Sequence, residues 1–243
     1  MSEVTLDVAD GVAVVTLNRP DKKNAINGPL GVELARAVNT ASEDDDVAVV
    51  LLCGAGGAFC SGLDLKEFNA DPAPDWQADF QHIWRQAHSA LYNCQKPIIG
   101  ALERYAINGG AALALACDLL VSGESAFLQV GEIQIGMAAP YNMAWLSLRH
   151  PEATIARLTI VGERHTGPDL VNMNIALESV ADDQVMKRSQ ELAGQIAAYP
   201  SGGHARIKKG VRARIQASAD EWFDQFTLQD PVGSAPKPRA NPT

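Results

Sequence analysis

The sequence predicts an α/β core followed by a helical region, on three observations. Strand-like and helix-like stretches alternate from Val12 to about Ser122. Two runs, Val47–Cys53 (VAVVLLC) and Pro97–Leu102 (PIIGAL), are apolar almost without interruption, as strands covered on both faces of a parallel sheet are. From Ala139 onward the pattern turns helical nearly throughout.

Val12–Leu17 (VAVVTL) reads as a strand, closed by the turn Asn18-Arg19-Pro20-Asp21. Asn27-Gly28-Pro29 opens a helix whose apolar stripe of Leu30, Val32, Leu34, Ala35, Val38 and Ala41 runs to about Ser42. The acidic run Asp44-Asp45-Asp46 ends it, and Val47–Cys53 follows. Strand, helix, strand in that order implies a parallel unit with a right-handed crossover. Gly54–Gly57 is a loop, and Ser61-Gly62-Leu63-Asp64 a glycine corner leading into a short helix. Residues 69–75 form a polar surface loop, and Trp76–Cys94 one helix carrying Phe80, Ile83, Trp84, Ala87 and Leu91. After Pro97–Leu102 come a polar corner, then Asn108-Gly109-Gly110, then a helix of small residues, Ala111–Ala116. Leu119–Ser122 is a further buried strand. Helices are expected over Asn142–Arg149, Glu152–Val161, Pro168–Met173, Asp183–Ala198 and Ala205–Phe226, with a last short strand within Ile175–Val180. Residues 230–243 are proline-rich with no apolar face, and are expected to be disordered or draped over the surface.

Composition narrows the function classes. The chain has 243 residues, 47% hydrophobic and 20% charged, which is ordinary for a globular protein. A net charge of −9 argues against a general nucleic-acid binder. No apolar run reaches a membrane span, and the start, MSEVTLDVADG, lacks a basic and then apolar leader, so the expected location is cytoplasmic. Cys53, Cys60, Cys94 and Cys117 have no metal-ligand spacing and read as buried reduced thiols. No metal site is expected. The basic clusters Lys22-Lys23 and Arg206–Arg214 each read as a solvated face, with phosphate binding the alternative.

Chemistry is concentrated at two glycine corners and one carboxylate. A buried helix start after the Asn108-Gly109-Gly110 corner leaves unpaired N–H groups and a positive dipole end, and glycine lets a ligand approach that backbone. The corner at Gly62-Leu63 is a second source of backbone donors. Two such donors converging on one oxygen stabilise an oxyanion. Glu132, set among apolar residues and glycines in Gly131–Gly136, is placed to move protons.

Four motifs in order carry a resemblance: Asn18-Arg19-Pro20 with Asn24-Ala25-Ile26-Asn27; Ala58–Lys66 (AFCSGLDLK); Lys96-Pro97 through Gly109-Gly110 to Cys117-Asp118; and Glu132-Ile133-Gln134-Ile135-Gly136. Over about residues 4–230 the chain resembles the enoyl-CoA hydratase/isomerase (crotonase) superfamily. The resemblance implies a ββα spiral core with a C-terminal helical trimerisation region: residues 1–185 as the acyl-CoA-binding core, 186–230 as the helical region and 231–243 as a tail. It implies an acyl-CoA thioester substrate from fatty acid metabolism, with coenzyme A part of that substrate and no separate cofactor. A homotrimer or dimer of trimers is implied, with no nucleic-acid or membrane partner. By position, Leu63 and Gly109 are the oxyanion-hole donors and Glu132 the catalytic carboxylate. Substrate binding falls to Lys23, Ala25, Ser61, Asp64, Leu65, Lys66 and Ala112.

One departure bears on the reaction. The family's hydratases hold water between two carboxylates, one of them three residues after Gly109, where this chain has Ala112. Alanine moves no proton. A single carboxylate suffices for a 1,3 proton shift, so the expected reaction is isomerisation of an enoyl-CoA double bond. Hydration at an atypical site and non-catalytic acyl-CoA binding are the alternatives. Asn108, Gly131 and the segment Pro140-Tyr141-Asn142-Met143 depart from the family pattern as well. His88 reads as a surface or capping residue rather than a substitute acid in the acyl pocket. Glu103 and Arg104 read as structural, with an ion pair between them a possibility.

Overall fold

A computed structural model describes residues 2–227. The strands are β1 (Val4–Ala9), β2 (Val12–Leu17), β3 (Val49–Gly54), β4 (Ile98–Leu102), β5 (Tyr105–Ile107), β6 (Leu119–Gly123), β7 (Phe127–Gln129), β8 (Arg164–Thr166) and β9 (Glu178–Val180). The helices are α1 (Gly28–Glu43), α2 (Leu65–Phe68), α3 (Phe80–Asn93), α4 (Gly109–Ala116), α5 (Pro140–Arg149), α6 (Glu152–Val161), α7 (Gly167–Asn172), α8 (Val185–Ala197), α9 (Gly203–Arg212) and α10 (Ala219–Thr227). Short 3-10 turns lie at Pro20–Lys22, Glu132–Ile135 and Asp182–Gln184.

A six-stranded sheet runs β1-β2-β3-β4-β6-β9, parallel except for the β1–β2 hairpin. A three-stranded sheet runs β5-β7-β8. Successive strand pairs divide between the two sheets: β4 joins the large one and β5 the small one, then β6 and β7 do the same. Every residue of β3 and of β4 is buried, which is why these strands read as unbroken apolar runs.

Both faces of the large sheet are covered. One carries α1, α3 and α4 over Leu17, Val50, Leu52, Ile98 and Leu102. The other carries α8, whose Val185, Leu192, Ala193 and Ile196 pack on Val49, Leu51, Ile99 and Val121. Each such aliphatic side chain contributes about 1.5–3 kcal/mol on burial. Helix α4 sits deepest, and only its first residue, Gly109, escapes full burial. Its alanines let β5, α3 and α5 close around it.

Several expectations need correction. The strand β1 and the three-residue strands β5, β7 and β8 were not expected: the sequence reading ran from β4 straight through a polar corner to α4. The helix expected from Trp76 begins at Phe80, with Trp76 instead in an aromatic cluster with Phe68 and Phe80. The single helix expected over Ala205–Phe226 is two, α9 and α10. Ser218 starts the second: its amide and hydroxyl bond the Glu221 carboxylate, both at 2.8 Å, and its oxygen accepts from Glu221 N. This capping box stands in the sequence as Ser218-Ala219-Asp220-Glu221.

The basic run is solvated only in part: Arg206, Lys209 and Arg214 are exposed. Lys208 and Arg212 turn inward to Asp118, at 2.6 and 3.4 Å, and Arg149 joins them at 3.0 Å. Arg149 also donates to the carbonyls of Leu115, Ala116 and Cys117, closing the C-terminal end of α4. All four cysteines are buried and free, as the sequence reading has it. Glu103 and Arg104 form no ion pair among the described residues. Arg104 takes a positive φ of 54° at the turn between β4 and β5. No helix among the described residues is long and apolar enough to cross a membrane. The expected tail, 231–243, and the boundary at 230 lie outside the described residues.

Candidate active site

The two glycine corners meet. Cys60 N donates to Tyr105 O at 3.1 Å and Ile107 N to Cys60 O at 3.1 Å, laying the loop before Leu63 along β5. A Cβ on Gly62, whose φ is +88°, would stand 2.9 Å from Ile107 O. One on Gly110 would stand 2.4 Å from Cys60 O. Only glycine allows this approach.

The amides of Leu63 and Gly109 stand outside the local pairing. Around Leu63 the ladder bonds run from Ile26 N to Gly62 O and from Asp64 N to Ile26 O, both 2.8 Å. Gly109 N occupies the first position of α4, where a helix supplies no acceptor of its own.

The NRP and NAIN motifs prove to be the scaffold of this region. Arg19 pairs with Glu3, Asp64 and Glu67 at 2.6, 3.1 and 2.7 Å. Fully buried Asn24 donates to Ala55 O and Ala58 O, and Asn27 caps α1 by accepting from Leu30 N. These bonds fix the loop that carries Leu63.

Six of the seven expected substrate-binding residues lie on two adjoining segments, around Lys23 and from Ser61 to Lys66. Lys23 is exposed, Ala25 is buried, and Ser61 N donates to Lys23 O at 3.2 Å. Leu65 is 60% exposed and Lys66 is exposed, so the outer edge of the ledge is open. The Asp64 side chain caps α2 through Glu67 N and pairs with Arg19, so its carboxylate is engaged within the scaffold. Ala112 is fully buried on α4, one turn after Gly109.

Glu132 starts a 3-10 turn beside the Gly109 corner. Its Oε1 accepts from Asn142 Nδ2 at 3.0 Å, while its Oε2 is buried without a partner. Burial pushes its carboxyl up to about 7, against the lowering effects of its own backbone amide and of Asn142. A carboxyl held near neutrality, with one free oxygen, is suited to accept and return a proton. Asn108 binds the two parts of the site together. Its φ is 52°, its Oδ1 accepts from Gly131 N at 2.8 Å, and its carbonyl accepts from Asn142 Nδ2 at 3.2 Å.

Three neighbours complete the surroundings. Trp84 lies where a Cβ on Gly109 would meet its ring at 3.6 Å. His88 is neither a surface nor a capping residue. It is fully buried, accepts from Trp145 Nε1 at 2.9 Å and stacks on Tyr141 at 4.2 Å. Burial and Arg85 push its imidazole down to about 3, so it stays neutral. Burial pushes the Cys60 thiol up to about 12, which removes it as a nucleophile. Sequence reasoning assigned no role to Asn142, Asn108 or Trp84. Asn108 and Asn142 were visible only as departures from the family pattern, and Trp84 only as part of a helix stripe.

Comparison with known proteins follows the same lines. The family model described as enoyl-CoA hydratase/isomerase matches residues 7–229. The 1,2-epoxyphenylacetyl-CoA isomerase of Escherichia coli is 28% identical over 228 residues, which is 92% of this chain and 87% of that protein. The carnitinyl-CoA dehydratase of Proteus mirabilis is 30% identical over 220 residues, covering 90% of this chain and 83% of its own. Among solved structures, a carnitinyl-CoA dehydratase from Mycobacterium avium superposes with a TM-score of 0.83 at 26% identity, over 94% of this chain and 91% of its own. The names of these relatives divide between isomerase and dehydratase.

Proposed function

The chain belongs to the enoyl-CoA hydratase/isomerase family, and on that premise we propose that this acyl-CoA enzyme shifts the double bond of an enoyl-CoA, with Glu132 as its sole proton carrier. In this reading the Leu63 and Gly109 amides receive the thioester oxygen. The Glu132 carboxylate removes a proton from Cα of a 3-enoyl-CoA. The electron pair spreads over the conjugated system, and the thioester oxygen takes up negative charge between the two amides. Glutamic acid then returns the proton to Cγ, leaving the double bond between Cα and Cβ. No atom is gained or lost, and coenzyme A enters and leaves as part of the substrate. The pantetheine and adenine would run along the Ser61–Lys66 backbone, with Lys22, Lys23 and Ala25 near the CoA phosphates and adenine. A homotrimer or dimer of trimers, in the cytoplasm, goes with the same reading.

The observation that carries it is the pairing of an intact, half-free Glu132 with Ala112 where a second carboxylate would be needed. Hydration is the second reading, favoured by the dehydratase name of the relatives at 30% identity. It needs water held by Glu132 with another group. A non-catalytic binder is disfavoured by Glu132 Oε2, a buried carboxylate oxygen without a protein partner beside the Gly109 corner. Turnover of 3-enoyl-CoA and 2-enoyl-CoA, measured side by side for wild type and Glu132→Gln, tests the proposal. Isomerisation should dominate in the wild type and fall by about 10²–10⁴-fold in the variant. Hydration that survives Glu132→Gln would overturn it.

A further inference from the structure

Asn142 touches both halves of the site at once. It is 2% exposed and lies in the first turn of α5. An amide nitrogen has two hydrogens. One goes to Glu132 Oε1 at 3.0 Å and the other to the carbonyl oxygen of Asn108 at 3.2 Å. That carbonyl belongs to the same peptide group as the Gly109 N–H, and the two point in opposite directions across the planar unit. Both acceptors lie on Nδ2, so the orientation of the amide is fixed by its surroundings.

The rest of the amide argues against a merely structural residue. Asn142 Oδ1 is buried with no partner. An unsatisfied buried carbonyl weakens a fold and calls for an explanation. Two well-placed donor bonds into the site supply one.

Resting on the reading of Glu132 as proton carrier, we propose that Asn142 is the positioning residue of this site. Its first hydrogen occupies Glu132 Oε1 and so assigns the moving proton to Oε2, the oxygen left without a partner. Its second hydrogen joins the Ala112 N–H, at 3.0 Å, on the Asn108 carbonyl; the added bond polarises the Asn108–Gly109 peptide further, which strengthens the Gly109 N–H as a donor. One uncharged side chain thereby aligns the base with the group that receives the developing charge. It acts through its neighbours and need not touch substrate. The helices beside this turn carry Tyr141 and Arg149 on α5 and Glu152 and Arg157 on α6; burial is the largest influence on the Glu132 carboxyl, and the Asn142 hydrogen bond acts against it.

The test uses the full chain with Asn142→Ala and Asn142→Asp. The Glu132 carboxyl is titrated in the free protein by infrared difference against Glu132→Gln, and pH profiles of 3-enoyl-CoA isomerisation are recorded alongside. In Asn142→Ala the Glu132 midpoint should rise by about half a unit to one unit, the size expected for one lost hydrogen bond. In the isosteric Asn142→Asp it should rise further, because a second carboxylate faces the first. On the alkaline plateau kcat should fall by about 10- to 100-fold with KM changed less than about threefold, since alignment is lost even where Glu132 is ionised. An unmoved midpoint, or an unchanged plateau kcat, in whichever variant folds would overturn the proposal. Full activity in Glu132→Gln would instead remove the reading of Glu132, while the infrared titration would still report whether Asn142 tunes its carboxyl.

Discussion

Asn108 Oδ1 accepts the Gly131 amide proton at 2.8 Å, tying the residue before Gly109 to the residue before Glu132. Both positions depart from the common pattern of the family, and they depart together as partners in one bond. The tether holds Asn108 at a φ of 52°, which a non-glycine residue adopts only with local support. Asn108→Gly removes the tether but suits the backbone. Asn108→Ala removes the tether and leaves a β-carbon in the strained conformation. Denaturant unfolding should therefore place Asn108→Ala below Asn108→Gly by about 1 kcal/mol or more. Turnover should fall in both by comparable factors, because both lose the link between the corner and the Glu132 turn.

The pH profile of kcat/KM should rise with a midpoint near 7 and then level off. The base form of Glu132 must be present to take the first proton, and burial holds its carboxyl near that value. No imidazole limb should accompany it from His88, which burial keeps neutral to about pH 3. An initial-rate series from pH 5 to 9 in buffers of constant ionic strength checks both statements.

The same carboxyl makes stability depend on pH. Its folded value is raised above the ordinary 4.5, so the folded state binds the proton more tightly than the unfolded chain does. The stability this linkage contributes is fully present below about pH 4.5 and is lost as pH rises toward and through 7. Glutamine at this position carries no such linkage. The unfolding free energy of Glu132→Gln relative to wild type should therefore climb between pH 5 and pH 8, by an amount on the order of 1–3 kcal/mol. Scanning calorimetry at the two pH values measures it.

Asp118 is opposed by Lys208, Arg149 and Arg212, with the first at 2.6 Å. Burial alone would raise its carboxyl, but Lys208 and Arg149 outweigh burial and hold it below the ordinary range. Removing it leaves three cations together at the end of α4. Asp118→Ala should destabilise the fold by about 3–5 kcal/mol, readable as a lowered denaturant midpoint. In the molecules that remain folded, KM for acyl-CoA should change little, since the cluster lies at the opposite end of α4 from Gly109.

The sequence made legible what rests on strong local pattern. The buried strands β3 and β4 announce themselves as unbroken apolar runs, and the corners at Gly62 and Gly109 as glycines between strand and helix. The strands β5, β7 and β8 did not, because three residues carry too little periodicity to show. The basic run from Arg206 looked solvated because its partner, Asp118, lies some ninety residues earlier and only packing brings them together. His88 looked like an ordinary helix residue because its partner Trp145 sits on another helix. Asn142 carried no signal of its own, since its two acceptors come from separate turns of the chain.

The proposed reaction requires one arrangement: a thioester oxygen between the Leu63 and Gly109 amides, with Glu132 beside the acyl carbons. A crystal structure with an unreactive enoyl-CoA analogue measures it directly. We expect the oxygen within about 2.7–3.1 Å of both nitrogens and Glu132 Oε2 facing Cα and Cγ. A thioester oxygen bonded elsewhere, or Glu132 turned from those carbons, would contradict it.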